Sequence, residues 1–350
     1  MKYWRDGLRN RIVFWLLTIV LLFIVVMIAL CSGRYPLSIN TVTAILFSSI
    51  FPSETLDILP QWTMTEQRVV LSIRLPRILI AALTGAGLSV AGASLQGIFR
   101  NPLVGPQIMG VSSGAALGGA IAIVLFSSLM LTTTFAFMGG LLAMILVYFI
   151  GRYGGNTQVL MLILAGVVVG AFFTALISLL TYFADPNSTL PTIVFWLMGS
   201  FATINYHKLL LVAFPVLFGI LLLLLLRFRI NVLSLGDETA AAMGVIVEKT
   251  RWWVLIAVTL ITAATVAVAG SIGWVGLVVP HITRMIVGPD HRKLLPVAVI
   301  FGAIYMIVID TLARSATSAE IPLGVLTALI GAPVFIWLLR KKQDKGWNRD

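Results

Sequence analysis

Long apolar runs dominate the chain, and short polar or basic segments separate them. A helix needs about 20 apolar residues to cross a bilayer, and ten runs approach that length. The runs cover residues 13–32, 77–98, 104–127, 133–151, 158–183, 208–226, 251–271, 273–288, 294–311 and 322–339. This pattern predicts an all-α, polytopic membrane protein with about ten transmembrane helices, and a single integral membrane domain over residues 1–350.

The basic residues between the runs predict an orientation. With a cytoplasmic N-terminus, 18 of the 24 lysines and arginines face the cytoplasm, as the positive-inside rule requires. We therefore expect both termini to be cytoplasmic. Two long outer loops then cover about 33–76 and 184–207. The stretch TIVFWLMGSF in the second loop is too short to span and predicts an interfacial or re-entrant helix.

Composition agrees with a membrane protein. Hydrophobic residues make up 59% of the chain and charged residues only 11%, whereas soluble domains carry about 25% charged residues. The net charge of +11 does not indicate nucleic-acid binding, because the basic residues sit at the ends of apolar runs and form no block. The single cysteine, Cys31, has no disulfide or ligand partner, and the sequence predicts no metal site.

The sequence contains no pattern for catalysis or nucleotide binding. GxxxxGK[ST], HExxH and CxxC are absent, so the chain itself has no P-loop for ATP. The spans hold almost no charge, and Asp310, four residues before Arg314, is interpreted as half of a structural ion pair. A stand-alone proton- or sodium-coupled transporter usually keeps a carboxylate near mid-membrane. That alternative, and a membrane receptor without transport, are therefore less favoured than a permease powered by another subunit.

The segment LSLGDETAAAMGV, at 233–245, interrupts two apolar runs. It predicts a short helix capped by Ser234, with Asp237 and Glu238 at its positive end and Gly244 at its stop. Such a helix is too short to span. Its alanines suit close contact with another protein, although a plain surface connector fits equally well.

Two further segments carry turn and charge signals. In SIRLPRILIAAL, Pro76 predicts a helix start, flanked by Arg74 and Arg77. These arginines fit either lipid phosphates or the carboxylates of an external protein. Asn101-Pro102 predicts a turn, and the glycines at 110, 114 and 118 predict close helix packing.

Together these segments resemble the FecCD/BtuC-type permeases, the membrane subunits of type II ATP-binding-cassette importers. The resemblance rests on RLPR at 74–77, RNPLVGPQIMGVSSGA at 100–115, SLGDETAAAMGV at 234–245, GWVGLVVPHITR at 273–284 and EIPLGVLTALIGAPVFIWLL at 320–339. It covers most of the chain from about residue 70 onward.

The resemblance implies a BtuC-like, non-catalytic subunit in a bacterial inner membrane. It implies a homodimer, with a heterodimer as the variant, two ATPase subunits that bind ATP and magnesium, and a periplasmic binding protein. This chain would hold no cofactor. The substrate implied is a metal chelate, a ferric siderophore or haem, with cobalamin or molybdate and tungstate as alternatives.

The resemblance also implies site residues by their positions in the motifs. Arg74, Arg77 and Arg314 would dock the binding protein. Asn101, Pro102 and Leu103, together with Asn156, Thr157 and Gln158, would form the cytoplasmic gate. Ala165, Gly166 and Gly170 would line the pathway. Gly236, Asp237, Glu238, Ala241 and Gly244 would belong to the helix that couples to the ATPase.

Overall fold

The computed structural model describes residues 7–51, 62–152 and 159–343, and in this part of the chain it contains helices and no strands. The α-helices are α1 Gly7–Cys31, α2 Ile39–Ile50, α3 Met64–Arg68, α4 Leu75–Ile98, α5 Val111–Phe126, α6 Leu129–Gly151, α7 Val159–Phe183, α8 Thr189–Met198, α9 Tyr206–Leu233, α10 Asp237–Ala242, α11 Val247–Ala269, α12 Val275–Val287, α13 His291–Ser315 and α14 Leu323–Gln343.

The ten predicted spans correspond to ten of these helices. Among the described residues, seven helices are long and apolar enough to cross a bilayer: α1, α4 with the segment before it, α6, α7, α9, α11 and α13. The other three are α5, α12 and α14. Helix α12 has 13 residues, and at 1.5 Å per residue it reaches only about 20 Å. The all-α membrane fold is therefore confirmed, with spans of unequal length.

Helix α4 lies at the centre of the bundle and runs antiparallel to α13. A methyl group on Gly85 would lie 2.0 Å from the Gly302 carbonyl oxygen, so the two backbones touch where both residues are glycine. Arg77, at the start of α4, pairs with Asp310 near the end of α13. Gly97, near the end of α4, packs against His291 at the start of α13. These contacts define two opposite ends of the bundle, the arginine end and the α10 end.

Pro76 is the second residue of α4, as the sequence predicted, but α4 continues a helical run that begins earlier. Helix α3, a π-helical segment Val69–Arg74 and α4 form one continuous helical run from Met64 to Ile98. The Leu75 N–H bonds the Val70 carbonyl, five residues back, and the next residue, Pro76, has no N–H to bond Leu71. The Tyr206 hydroxyl donates to that Leu71 carbonyl instead, at 2.5 Å. The proline is tolerated because another helix satisfies the carbonyl group it leaves free.

The two predicted outer loops contain helices of their own. Within 33–76 lie α2, α3 and the π-helical segment, and residues 52–61 fall outside the described part of the chain. Within 184–207, the short helix predicted from TIVFWLMGSF is α8, Thr189–Met198. It packs against α5 through Trp196, whose ring lies where a side chain on Gly119 would be.

Two helices begin inside the bundle rather than at its ends. Helix α5 follows a looped segment after α4, and Gly110 at its start packs against Gly166, two turns into α7. Helix α12 follows the segment 270–274, and Gly276 in its first turn touches Gly92, six residues before the end of α4. Counted along α7 and α4 at 1.5 Å per residue, these contacts lie about 10 Å from the ends of those two helices nearest α10.

Candidate functional site

The arginine end carries a buried ion-pair network. The Arg77 Nε donates to Asp310 Oδ1 at 2.9 Å, and its two terminal nitrogens bond Glu320 at 2.9 and 3.0 Å. The predicted pair of Asp310 with Arg314 is present, with Nε and Oδ2 3.6 Å apart. Bidentate pairing of this kind fixes the geometry of both partners. The network therefore ties α4 and α13 to Glu320, in the connection before α14.

Arg74 and Arg314 bind the backbone that leaves α1. Arg74 donates to the carbonyls of Leu30, Cys31 and Tyr35, and Arg314 donates to those of Ala29 and Ser32. These bonds satisfy carbonyl groups at the C-terminus of α1, which an α-helix leaves without partners. The two arginines hold the connection between α1 and α2 against the bundle.

The three motif arginines are not surface groups, which corrects the expectation that they stand at the outer surface. Arg74, Arg77 and Arg314 are each less than a tenth exposed. The cause is the loop after α1, whose Gly33 lies directly over the guanidinium groups of Arg74 and Arg314. The exposed cations beside them are Arg34 and Arg68. Three arginines face two carboxylates here, so the network keeps one surplus positive charge.

At the opposite end, α10 is a six-residue helix that stands out from the bundle. It is about 9 Å long and cannot span. Ala240 is fully buried against the bundle, and Asp237 bonds the guanidinium of Arg251 on α11 at 2.8 Å. Glu238, Ala241 and the following Ala242 are exposed. One side of α10 therefore holds it in place, and the other side is available to a partner.

The caps of α10 differ from the predicted ones. Its N-cap is Gly236, with φ of +121°, and no side chain caps it. Ser234 instead donates to the Asn231 carbonyl at the end of α9. The predicted capping box is wrong because Gly236 turns the chain after α9 before a new helix can start. The stop at Gly244 is as expected, because its φ of +80° ends the helix.

Basic residues gather at the α10 end. Arg100 lies next to Gly236, and Arg284 donates to Gln96 at 2.9 Å. Arg292 bonds Asp290, the N-cap of α13, at 2.9 Å. The hydrogen bond from the Arg292 side chain lowers the pKa of the Asp290 carboxylate. The folded chain thus collects at one end the charges on which the predicted orientation depends.

The predicted gate lies partly within the described residues. Asn101 makes a turn in which its side-chain oxygen accepts the Leu103 N–H at 2.9 Å, with Pro102 between them. Leu103 is half exposed at the α10 end. Asn156, Thr157 and Gln158 lie outside the described residues. The gate assignment stays a prediction.

The face of α7 that was expected to line the pathway packs against the chain itself. A methyl group on Gly166 would lie 2.2 Å from the Ile108 carbonyl oxygen, and Ala165 is buried. Gly170 faces Gly110 and Ser113. Small residues here allow the segment before α5 to approach α7 closely. Within this subunit the face is an intramolecular contact, which corrects the expectation of an open passage along it.

The sequence analysis did not predict a small cavity at the point where α5 and α12 begin. This junction cavity has a volume of about 40 Å³. Its polar lining comes from Gln107, Ser112 and Thr265, and from the backbone of Gly273 and Trp274. Gln107, Gly273 and Trp274 also line a groove of about 500 Å³ along the start of α14. The cavity and the groove therefore lie side by side and share three wall residues.

A model of the FecCD transport family matches residues 21–341. The chain is 47% identical over 330 residues to the molybdate import system permease protein MolB of Haemophilus influenzae, covering 94% of this chain and 95% of that protein. It is 43% identical to the cobalamin import system permease protein BtuC of Halobacterium salinarum, over 80% of this chain and 75% of that protein.

A solved structure agrees with the family match. It is described as an inward-facing conformation of a metal-chelate type ABC transporter, with a TM-score of 0.82 and 44% sequence identity. The similarity covers 95% of this chain and 99% of that one. The chain belongs to the FecCD transport family, and it is a multi-pass permease of an ATP-binding-cassette importer. The predicted family is thereby confirmed.

Proposed function

We propose that this permease forms one half of a dimeric channel, and that a separate ATPase drives it through α10. The observation that carries the proposal is the two-sided character of α10. Ala240 and the Asp237–Arg251 pair fix the helix to the bundle, while Glu238, Ala241 and Met243 are exposed. A short, rigidly seated helix can transmit a push from a partner to α9 and α11, between which it lies.

Exposed apolar side chains extend the proposed ATPase contact beyond α10. Leu235, Met243 and Ile246 are each more than half exposed. Large apolar groups grouped at one end mark interaction surfaces in a protein. In a membrane permease they would be covered by lipid if they faced the bilayer, but the charged Glu238 and Lys249 beside them favour a protein partner.

Charge and bulk on the exposed side of α10 test the coupling role. We expect Ala241→Arg to reduce co-purification of the ATPase subunit and to lower ATP-dependent uptake at least tenfold, because the added side chain would separate the two surfaces. The matched control is Ala202→Arg, at another exposed alanine near the opposite end. Equal co-purification of the two variants would remove the basis for the assignment.

We also propose that the arginine end is periplasmic and receives the soluble binding protein. Arg74, Arg77 and Arg314 would support this surface from beneath, since they order the loop after α1. The exposed Arg34 and Arg68 would meet the carboxylates of the binding protein directly. The surplus positive charge of the network favours an acidic partner.

Charge reversal tests the docking surface. We expect Arg34→Glu combined with Arg68→Glu to weaken binding-protein association at low ionic strength, where surface charges act most strongly. Surface plasmon resonance at two salt concentrations measures the effect. Arg152→Glu, an exposed arginine at the α10 end, should leave the affinity unchanged. Unchanged affinity in the double variant as well would exclude these arginines from docking.

For the substrate, we propose a metal-containing solute that a binding protein delivers. Ferric siderophores and haem follow from the family resemblance, and relatives are named for hemin, cobalamin and molybdate. The identity of 47% to a molybdate permease over nearly the whole chain favours an oxyanion as the second candidate. ATP-driven uptake by the reconstituted complex, with each solute supplied in turn, distinguishes them.

A further inference from the structure

The junction cavity brings together groups that donate hydrogen bonds. Helices α5 and α12 both begin at its wall, Ser112 lying in the first turn of α5 and Gly276 in the first turn of α12. The first turn of a helix presents N–H groups that have no intrahelical acceptor, and the helix dipole makes that end positive. Two such ends at one cavity produce a local positive potential without a charged side chain.

Backbone donors in the segment before α12 are also free. Within the described residues, the N–H groups of Ile272, Gly273 and Trp274 donate to no acceptor. All three residues line the cavity. Ile272 is buried, and Gly273 and Trp274 are half-buried. Buried N–H groups are nearly always paired in folded proteins, so a free donor such as that of Ile272 beside a cavity is suited to a ligand or to water.

A side chain independently indicates a ligand. Ser112 is only 9% exposed, yet its hydroxyl makes no hydrogen bond to any described residue and borders the cavity. By contrast, the Thr265 hydroxyl on the opposite wall donates to the Thr262 carbonyl at 3.0 Å. At the entrance, the Gln107 amide packs against Gly273, where any side chain would collide with it. The cavity thus offers a buried hydroxyl and an amide besides its backbone donors.

We infer that the junction cavity is a binding station for an oxyanion on the transport path. The inference rests on the proposed function and narrows its substrate to solutes that carry tetrahedral oxyanion or carboxylate oxygens. Among the described residues, the N–H groups of Val275 and Leu277 in the first turn of α12 already donate to backbone carbonyls, and the Gly276 N–H does not. Ser112, Gly276 and the free N–H groups before α12 would therefore donate to the oxygens. Gln107, which also lines the groove, would guide them in. Broken helices that point their N-termini at an anionic group are a known device of membrane transporters.

The location suits a step inside the bundle, ahead of the predicted gate. On the cavity wall, Leu88 lies ten residues before the end of α4, and Thr265 lies eighteen residues after the start of α11. Gln107 is four residues along the chain from Leu103 of the predicted gate. Among the described residues, no charged side chain lines it. Binding by dipoles alone is weaker than binding by an arginine, which permits the anion to leave again.

The test measures anion binding by the purified full-length permease without its ATPase. We expect saturable binding of radiolabelled molybdate, and we expect Ser112→Ala to weaken it about tenfold, because a hydrogen bond to a charged group is lost. The matched control is Ser113→Ala: Ser113 is adjacent in sequence but faces Gly170 on α7 instead of the cavity. It should bind as the unmodified protein does.

Tungstate locates the site directly, since its anomalous scattering should give a peak within hydrogen-bond distance of the Ser112 hydroxyl. Competition with ferric citrate distinguishes the two possible ligands, a tetrahedral oxyanion and the carboxylates of a metal chelate. Displacement of molybdate assigns the cavity to chelate carboxylates as well, and no displacement assigns it to tetrahedral oxyanions; both support the station. Absent molybdate and tungstate binding, or equal affinities of the two serine variants, would overturn it.

Uptake by the complete complex is scored separately. ATP-driven uptake without anion binding by the permease would overturn only the binding station. Anion binding without ATP-driven uptake of any solute would overturn only the proposed function.

Discussion

Asp310 shows how one residue can determine the charge balance of a buried site. Its carboxylate is 1% exposed and lies within ion-pair distance of Arg77 and Arg314. Burying a charge is costly unless a partner compensates it. The residue therefore makes two cations on α4 and α13 tolerable at one place, and it matters more to the fold than its single charge suggests.

We expect Asp310→Asn to destabilise the permease by about 3–5 kcal/mol, because it leaves the buried Arg314 without a carboxylate and Arg77 with Glu320 alone. Denaturant-induced unfolding in detergent micelles measures the change. Glu320→Gln is the matched control, since Glu320 binds the same Arg77 but is 30% exposed, and about 1 kcal/mol is expected there. Equal losses in both variants would show that burial does not set the cost.

The residues of this network also show what could be predicted from sequence. The spacing of Asp310 and Arg314 indicated their pair because both lie on one helix face. The contact of Arg77 with Glu320 spans 243 positions, so no local pattern encodes it. The arginines are buried because the loop after α1 covers them. The path of that loop could not be predicted from the sequence.

At the scale of elements, glycines set the distances between helices. Gly92 of α4 lies against Gly276 of α12, and a methyl group on Gly92 would be 1.9 Å from the Gly276 carbonyl oxygen. Close backbone approach of this kind depends on residues without side chains. The position of α12, and with it the junction cavity, depends on that contact.

We expect Gly92→Ala to destabilise the protein by about 1–3 kcal/mol, since α12 must shift to relieve the overlap. The comparison is Gly170→Ala in α7, where a methyl group would have its nearest neighbours at ordinary distances of 3.6 and 3.7 Å. There the better helix propensity of alanine should leave stability unchanged or slightly raised. Thermal unfolding in the same detergent compares them, and a larger loss at Gly170 would contradict the packing argument.

The sequence predicted α10 more completely than it predicted the starts of α5 and α12 inside the bundle. The acids, alanines and Gly244 of α10 are adjacent in sequence, so its existence followed from local chemistry even though its N-cap was wrong. The start of α12 depends on Trp274, which has a φ of +68° that few bulky residues adopt. A run of apolar residues cannot reveal that a helix begins inside a bundle.

At the scale of the whole molecule, the two ends have different chemistry. The arginine end buries its charges in a closed network, and the α10 end displays basic residues beside exposed apolar ones. Each of the ten predicted apolar runs corresponds to a helix, and among the described residues seven of these helices are long and apolar enough to span, because bilayer thickness limits helix length. The short lengths of α5 and α12 could not be predicted in this way, because contacts with α7 and α4 determine where these helices begin.

The predicted orientation can be tested with single cysteines. In a Cys31→Ser background, Asn187→Cys places an exposed thiol near α8, and Met243→Cys places one beside α10. We expect a membrane-impermeant maleimide to label the first in intact spheroplasts and the second only after permeabilisation. The reverse pattern would invert the topology and move the proposed ATPase contact to the wrong side.

The π-helical segment Val69–Arg74 has a consequence for helical phase. Each residue in an α-helix turns the chain by about 100°, and a π-helical turn holds one residue more than an α-helical turn would. Deleting one residue from the segment would therefore rotate α3 by roughly a quarter of a circle relative to α4. The Leu71 carbonyl would then turn away from Tyr206, although the composition would hardly change. Insertions and deletions here should be far less tolerated than substitutions, so the length of this segment carries information that its apolar residues do not.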